Sequence, residues 1–194
     1  MAAKQFSWIG CAALAMGLMS TSAQAADPAL SISGVSQPVQ LGSILDLDVL
    51  VSGVSDLYGY QFSPSFDASM LKALTVSEGP FLSTAGATYG DVGSIDNGAG
   101  TITLVYNTLL DAVPGATGSG SLAHLSFQVI GKGSAPISFS DVQFVDSQIA
   151  SINVQANGIT VTAVPEPASL ALMGAGVLAL LGLARRRPLG ATKA

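Results

Sequence analysis

Few residues in this chain are equipped to make or break bonds, and their spacing limits what they can do. His124 is the one histidine, so a Ser-His-Asp hydrolytic site would have to be built on it. In the run 121–129 it alternates with apolar residues. Ala123, Leu125, Phe127 and Val129 share one face, and His124 shares the other with Leu122, Ser126 and Gln128, which predicts an exposed strand residue. Glu78 and Glu166 are the only glutamates, and no Gly-x-Ser-x-Gly elbow or His-Glu-x-x-His pair occurs, so no enzyme activity is expected.

Asp46 and Asp48 lie two residues apart on one face of an alternating run. With loop carbonyls they are candidates for a calcium ion, which takes about six to eight oxygen ligands. The same two acids also read as a solvated strand face that discourages edge pairing. Asp91, Asp96 and Asn97 lack the spacing of a calcium-binding helix-loop-helix and read as a turn, and no other cofactor is expected. A sugar platform needs exposed aromatic rings. The strand phase turns Tyr58, Tyr60 and Tyr106 inward, and Trp8 lies in the N-terminal apolar segment, so Tyr89 is the aromatic left for such a surface.

Charge excludes another class. Residues 27–163 carry two bases, Lys72 and Lys132, against eleven acids, a net charge of minus nine. Two bases cannot neutralise a run of phosphates, so nucleic acid is excluded as a partner. The single cysteine, Cys11, lies in the N-terminal apolar segment, leaving the remainder without a thiol for a disulfide, a nucleophile or a metal site. Burial and sheet hydrogen bonding must hold the fold together.

The elements that must position these residues read as all-β. Leu45, Leu47, Val49 and Val51 alternate with Asp46, Asp48 and Leu50, and Tyr58, Tyr60 and Phe62 continue the pattern in a next strand. Pro64 lacks the ladder N–H and predicts a sheet edge or a bulge there. Residues 67–71 read as one helical turn capped by Asp67, with Met70 and Leu71 plugging the core. Residues 75–94 read as a long loop with short strands, and Asn97-Gly98 as a hairpin turn. The strand 101–108 is expected to bury Ile102, Leu104 and Tyr106. A Gly/Pro/Ser loop over 111–120 precedes the strand at 121–129, and strands at 135–139, 142–145 and 152–164 follow. Eight or nine short strands without interleaved helices predict an antiparallel β-sandwich or jelly roll over 27–163.

Both ends read as addresses. Residues 1–25 have a basic start at Lys4, an apolar core and a small-residue close at Ala23 and Ala25, a secretory signal peptide cleaved before Ala26. At the other end Pro165-Glu166-Pro167 precedes an apolar run, 168–184, and the cluster Arg185, Arg186, Arg187. As a helix that run is about 25 Å long, short for a hydrocarbon core of about 30 Å, so it is expected to cross a membrane as a short transmembrane helix. The arginines would stay cytoplasmic with the tail 188–194, leaving the sandwich outside.

The stretch 57–67, Leu-Tyr-Gly-Tyr-Gln-Phe-Ser-Pro-Ser-Phe-Asp, with Met70-Leu71, resembles a cohesin domain, and so do 119–127, 131–134 and 137–142. The resemblance implies a nine-strand jelly roll of a family that includes dockerin-binding cellulosomal modules, with carbohydrate-binding modules of similar fold. In dockerin-binding relatives, outward positions of the strand matching 57–67 often hold Asn and Asp. Here they are Gly59 and Gln61, which with Tyr89 make up the expected binding face for a surface protein or, alternatively, a polysaccharide. The C-terminal segment 164–187 resembles a PEP-CTERM sorting signal. That resemblance implies an exosortase-type protease as partner, an inner-membrane intermediate held through 168–184, and delivery to the cell surface, outer envelope or extracellular matrix. Glu166→Ala, or deletion of Arg185 to Arg187, is therefore expected to leave the chain uncleaved or mislocalised, as judged by cell fractionation and intact mass; normal processing of both variants would refute the address.

Overall fold

The computed structural model describes residues 27–34, 38–164, 172–173, 175–178 and 180. Strands dominate: β1 (Ala29–Ser33), β2 (Val39–Gln40), β3 (Ile44–Phe66), β4 (Leu71–Glu78), β5 (Thr88–Asp91), β6 (Ser94–Asp96), β7 (Thr101–Thr103), β8 (Val105–Leu109), β9 (Ala116–Val129), β10 (Gly133–Asp146), β11 (Ser151–Ile152), β12 (Gln155–Ala156) and β13 (Ile159–Val164). The expected eight or nine strands become thirteen because bulges divide some runs and short bridges add others. Two expected strands, conversely, merge into β3, which runs unbroken for 23 residues.

β3 belongs to two layers. Its first half, 44–52, lies between β1 and β9, with β4 beyond β9; its second half, 57–66, lies between β10 and β8, with β5 beyond β8 and β13 beyond β10. The halves pack over one core. Leu45, Leu47, Val49 and Val51 point into it from the first half, and Leu57, Tyr60, Phe62 and Phe66 from the second. Phe66 meets Phe127 of the opposite layer edge-on at 5.1 Å between ring centroids, a favoured aromatic geometry.

The corner between the halves has a specific chemistry. Gly53 and Asp56 take positive φ of 65° and 57°, so the strand turns without leaving its ladder. Asp56 holds the bend from both sides. Its Oδ1 accepts the Gly115 amide at 2.6 Å, its Oδ2 accepts the Ser147 hydroxyl at 2.6 Å, and its own amide donates to Thr117 Oγ1 at 3.0 Å.

Four expectations are resolved in detail. Leu104 adopts φ 57° and is 49% exposed, a one-residue bulge between β7 and β8. After it the inward set becomes Val105, Asn107 and Leu109, so Tyr106 and Leu104 are not buried as the period-2 reading implied. Pro64 sits at this irregularity, between Phe62↔Val105 and Ser65↔Thr101; it pairs with Phe139 on the other side and so marks a bulge, not an edge. Residues 68–70 form a hydrogen-bonded turn, with Asp67 Oδ1 accepting the Ser69 amide at 2.9 Å, and Met70 and Leu71 are buried. The 97–100 turn does join β6 to β7, but Gly100, at φ 69°, supplies the left-handed residue.

No helix among the described residues is long and apolar enough to cross a membrane. The described residues within 168–184 are helical and exposed; the remainder of that run, and the predicted signal and sorting residues Ala23, Ala25, Ala26, Pro165, Glu166, Pro167 and Arg185 to Arg187, lie outside the described residues.

The Ser147 hydroxyl first, then the Gly115 amide, hold the Asp56 carboxyl below its ordinary value of 3.8. A depressed carboxyl stabilises the fold fully above the unfolded value, and that contribution is lost as pH falls through the folded one. Asp56→Asn keeps the shape but not the charge, so its thermal midpoint should lie several degrees below the parent near neutrality. The gap should begin to narrow as pH falls below 3.8 and close only once the depressed carboxyl of the folded state is itself protonated.

Candidate docking face

The outer surface of the β10–β3–β8–β5 layer gathers the expected face and enlarges it. Two cross-strand rows define it: Val145, Gly59, Thr108 and Tyr89, then Gln143, Gln61, Tyr106 and Asp91. Gly59 forms the floor. A Cβ there would meet Thr108 Oγ1 and Val145 Cγ2, each at 3.3 Å, and so would crowd the shallow hollow of about 190 Å³ between those side chains. These two rows carry no base and a single acid, Asp91, on the outermost strand. Gln61 and Gln143 offer amide donors and acceptors side by side, and Tyr106 stands between Gln61 and Asp91. Partial burial first, then Tyr89 and Asp91 beside it, raise the Tyr106 phenol above its ordinary value, so it stays a neutral donor.

A buried polar seam supports the face. Asn107 is 2% exposed; its Nδ2 donates to the Glu78 carboxylate and its Oδ1 accepts the Thr108 amide at 2.9 Å. Thr88 Oγ1 donates to the same Glu78 oxygen at 3.1 Å, tying edge strand β5 to β4 of the other layer. Tyr60 donates from its hydroxyl to the Leu122 carbonyl at 2.7 Å, and burial first, then the Glu78 charge, push its phenol far above the ordinary range. Thus two rigid layers stand behind Tyr89 and Tyr106.

The opposite layer holds the remaining candidates. Ser77, His124 and Asp48 form one cross-strand row, and His124 Nδ1 contacts Asp48 Oδ1. The residue types of a hydrolytic triad are therefore neighbours on an open sheet face. The His124 and Asp48 side chains are 47% and 43% exposed, the structure records no Ser77–His124 hydrogen bond, and surrounding backbone amides belong to the β4–β9–β3 ladder. Asp46 lies in the next row, and no group of three His, Cys, Asp or Glu among the described residues is placed to hold a metal ion. Asp91 and Asp96 bind their own turns, accepting the Gly93 and Gly98 amides at 2.8 Å each, while Asn97 reaches back to the Ala73 backbone.

Sequence reading named Gly59, Gln61 and Tyr89 as a candidate face, and the register sets them in two rows with Tyr106, Thr108, Gln143 and Val145, which that reading did not name. Tyr106 and Thr108 follow the Leu104 bulge, while Gln143 and Val145 follow a bulge at Asp141, φ 53°. Neither bulge residue is a glycine, so no composition signal marked them.

Comparison with known proteins agrees with this architecture. The cohesin domain family model matches residues 28–163, and a PEP-CTERM protein-sorting motif matches 163–187. A non-cellulosomal cohesin from the archaeon Archaeoglobus fulgidus superposes with a TM-score of 0.56 at 15% identity, covering 75% of this chain and 97% of that one. A type I cohesin–dockerin complex from Clostridium thermocellum gives 0.58 at 15% identity, with 72% and 94% covered. A cohesin module of a Clostridium perfringens family 33 glycoside hydrolase gives 0.55 at 9% identity, with 72% and 97% covered. At these identities the likeness is one of fold. None of the curated proteins matches the chain.

Asn107→Ala removes the partner of the Thr108 amide and of a Glu78 oxygen. It should lower unfolding stability by about 1–3 kcal/mol in denaturant titration, whereas His124→Ala on the open face should leave the midpoint unchanged.

Proposed function

The chain belongs to the cohesin domain family and ends in a PEP-CTERM sorting motif, and on that premise we propose that it is a non-enzymatic interaction module of the cell surface or matrix. Its partner is a protein docked on the β10–β3–β8–β5 face. The observation that carries this reading is the Gly59 floor: a four-strand surface whose two central rows hold no base and a single acid, with a recess floored by a residue that has no Cβ. Amides and hydroxyls there give directional bonds with little desolvation cost compared with charges. The Clostridium thermocellum relative is seen in complex with a dockerin. Gly59 and Gln61 offer a different donor set from the Asn and Asp of dockerin-binding relatives, so the partner proposed here is a surface protein with its own complementary pattern. Delivery follows the sorting route: export by the signal peptide 1–25, passage through an inner-membrane intermediate held by 168–184, and processing by an exosortase-type protease near Pro165, Glu166 and Pro167.

A second reading is favoured by one observation. With Tyr106 outward, Tyr89 gains an aromatic neighbour, flanked by Gln61, Gln143 and Asp91, a set suited to stacking and hydrogen bonding of a neutral sugar. The two readings separate experimentally. Capture of a surface protein should fall by about 30-fold or more in Gln61→Lys, if this residue lies at the centre of the contact. Retarded mobility in gels containing the producing cells' own exopolysaccharide, lost in Tyr89→Ala, would instead select the glycan. Unaltered capture together with unaltered mobility would overturn both.

A further inference from the structure

The bend of β3 fastens two loops that lie across it. Tyr58 donates its hydroxyl to the Asp111 carbonyl at 2.7 Å, and the Asp56 carboxylate accepts the Gly115 amide and the Ser147 hydroxyl, each at 2.6 Å. Loops 110–115 and 147–150 are thereby held on either side of Asp56 and Tyr58. Between them runs an open groove of about 720 Å³, against about 190 Å³ for the hollow over Gly59. That volume lies within the range of about 300–1,000 Å³ common to ligand clefts.

The lining combines two chemistries. Ala112, Val113, Pro114 and Ile149 give it aliphatic walls. Ile149 is 69% exposed and sits at φ 64°, a conformation that β-branched residues rarely adopt, so the turn around it decides where that side chain stands. The turn is closed by the Ile149 amide on the Asp146 carbonyl at 3.0 Å, and by the Gln148 and Ala150 amides on Asp146 Oδ1 at 2.9 and 2.8 Å. Asp56 and Asp111 supply charge. The Asp111 side chain is exposed and has no hydrogen-bond or ionic partner among the described residues. Asp56 is engaged with the loops but keeps its charge, since those bonds hold its carboxyl below the ordinary value.

No base answers these acids. Lys72 opposes Gln128, itself opposite Ile44, and Lys132 precedes Gly133, which pairs with Ala163; both lysines lie at the other end of the strands. His124 opposes Asp48, midway along the first half of β3. Asp27 and Asp146 add to the acidic side. Asp27 lies two residues before Ala29, the partner of Ser52, and Asp146 is the partner of Leu57.

A cation with an aliphatic stem satisfies both chemistries at once. Lysine and arginine lay their methylenes along apolar surface and keep the charged head at the rim, where a carboxylate receives it. An anionic ligand would meet two carboxylates, and a purely apolar one would desolvate them without compensation. We propose that the groove over Asp56 and Tyr58 takes a lysine or arginine side chain from an extended basic segment of a partner protein, with its stem along Val113 and Ile149 and its head at Asp111. The groove begins where the Gly59 row of the docking face ends, since Tyr58 adjoins Gly59 and Ser147 follows Val145 by two positions. It is nevertheless a separate site, filled or empty whichever partner that face takes.

The test uses the full chain in neutral detergent micelles and a short fluorescein-labelled peptide of alternating serine and lysine, with its serine–glutamate counterpart as control. Fluorescence anisotropy should show the lysine peptide bound at least about tenfold more tightly, with the preference falling as salt rises. Asp111→Asn should weaken binding several-fold, and Asp111→Lys should abolish it. Ile149→Asn removes the aliphatic wall but installs a residue that accepts positive φ, so the turn survives, and binding should again weaken several-fold. Asp46→Asn, which removes one charge from the outer face of the first layer, should leave binding unchanged. Equal affinity for the two peptides would overturn the inference, as would an Asp46→Asn loss equal to that of Asp111→Asn, which is attraction by net charge alone. Binding undiminished in Ile149→Asn would overturn it too.

Discussion

The Asp56 carboxylate is the constraint on which the remaining architecture depends. A strand of 23 residues cannot serve two packed layers unless it bends, and the bend puts a non-glycine residue at positive φ. That conformation is unfavourable for most side chains but tolerable for aspartate, whose short carboxylate can bind nearby backbone. Here it binds Gly115, just before β9, and Ser147, just after β10, one from each layer. Gly115 must be glycine, because a Cβ would fall 2.3 Å from the Asp56 carbonyl carbon. One side chain thus sets the angle of the corner and clamps the elements on either side of it.

Beyond the corner, the neighbours of β3 carry one-residue corrections. The sandwich has no disulfide and a core of ordinary aliphatic and aromatic size, so its accuracy comes from register. Leu104 and Asp141 each insert a residue on the two neighbours of 57–66, and both bulges reverse which face the residues after them occupy. The outcome is a matched surface: Gln61 between Gln143 and Tyr106, and Gly59 between Val145 and Thr108. The buried Asn107 that results from the same shift is satisfied by Glu78 and its own neighbour's amide, which keeps an inward polar group from becoming a liability.

The all-β class, the acidic and thiol-free character, the alternation that buries Leu45, Leu47, Val49 and Val51, the Asp67 turn and the sorting motif were all legible in the amino-acid order. Each is a local property, carried by residue type or by a spacing of two. Gly59 and Gln61 were legible as outward residues for the same reason. Tyr106 was not, nor were Leu104, Gln143 and the merging of two strands into β3, because a two-residue period carries no record of where one residue is inserted. Only the tertiary structure decided those points: the corner is made by Asp56 and Ser147, 91 residues apart, and the face by strands that meet only when the sheets close. Local pattern chooses which residues are buried within a strand, whereas contacts distant in sequence choose which strands lie side by side and in what register.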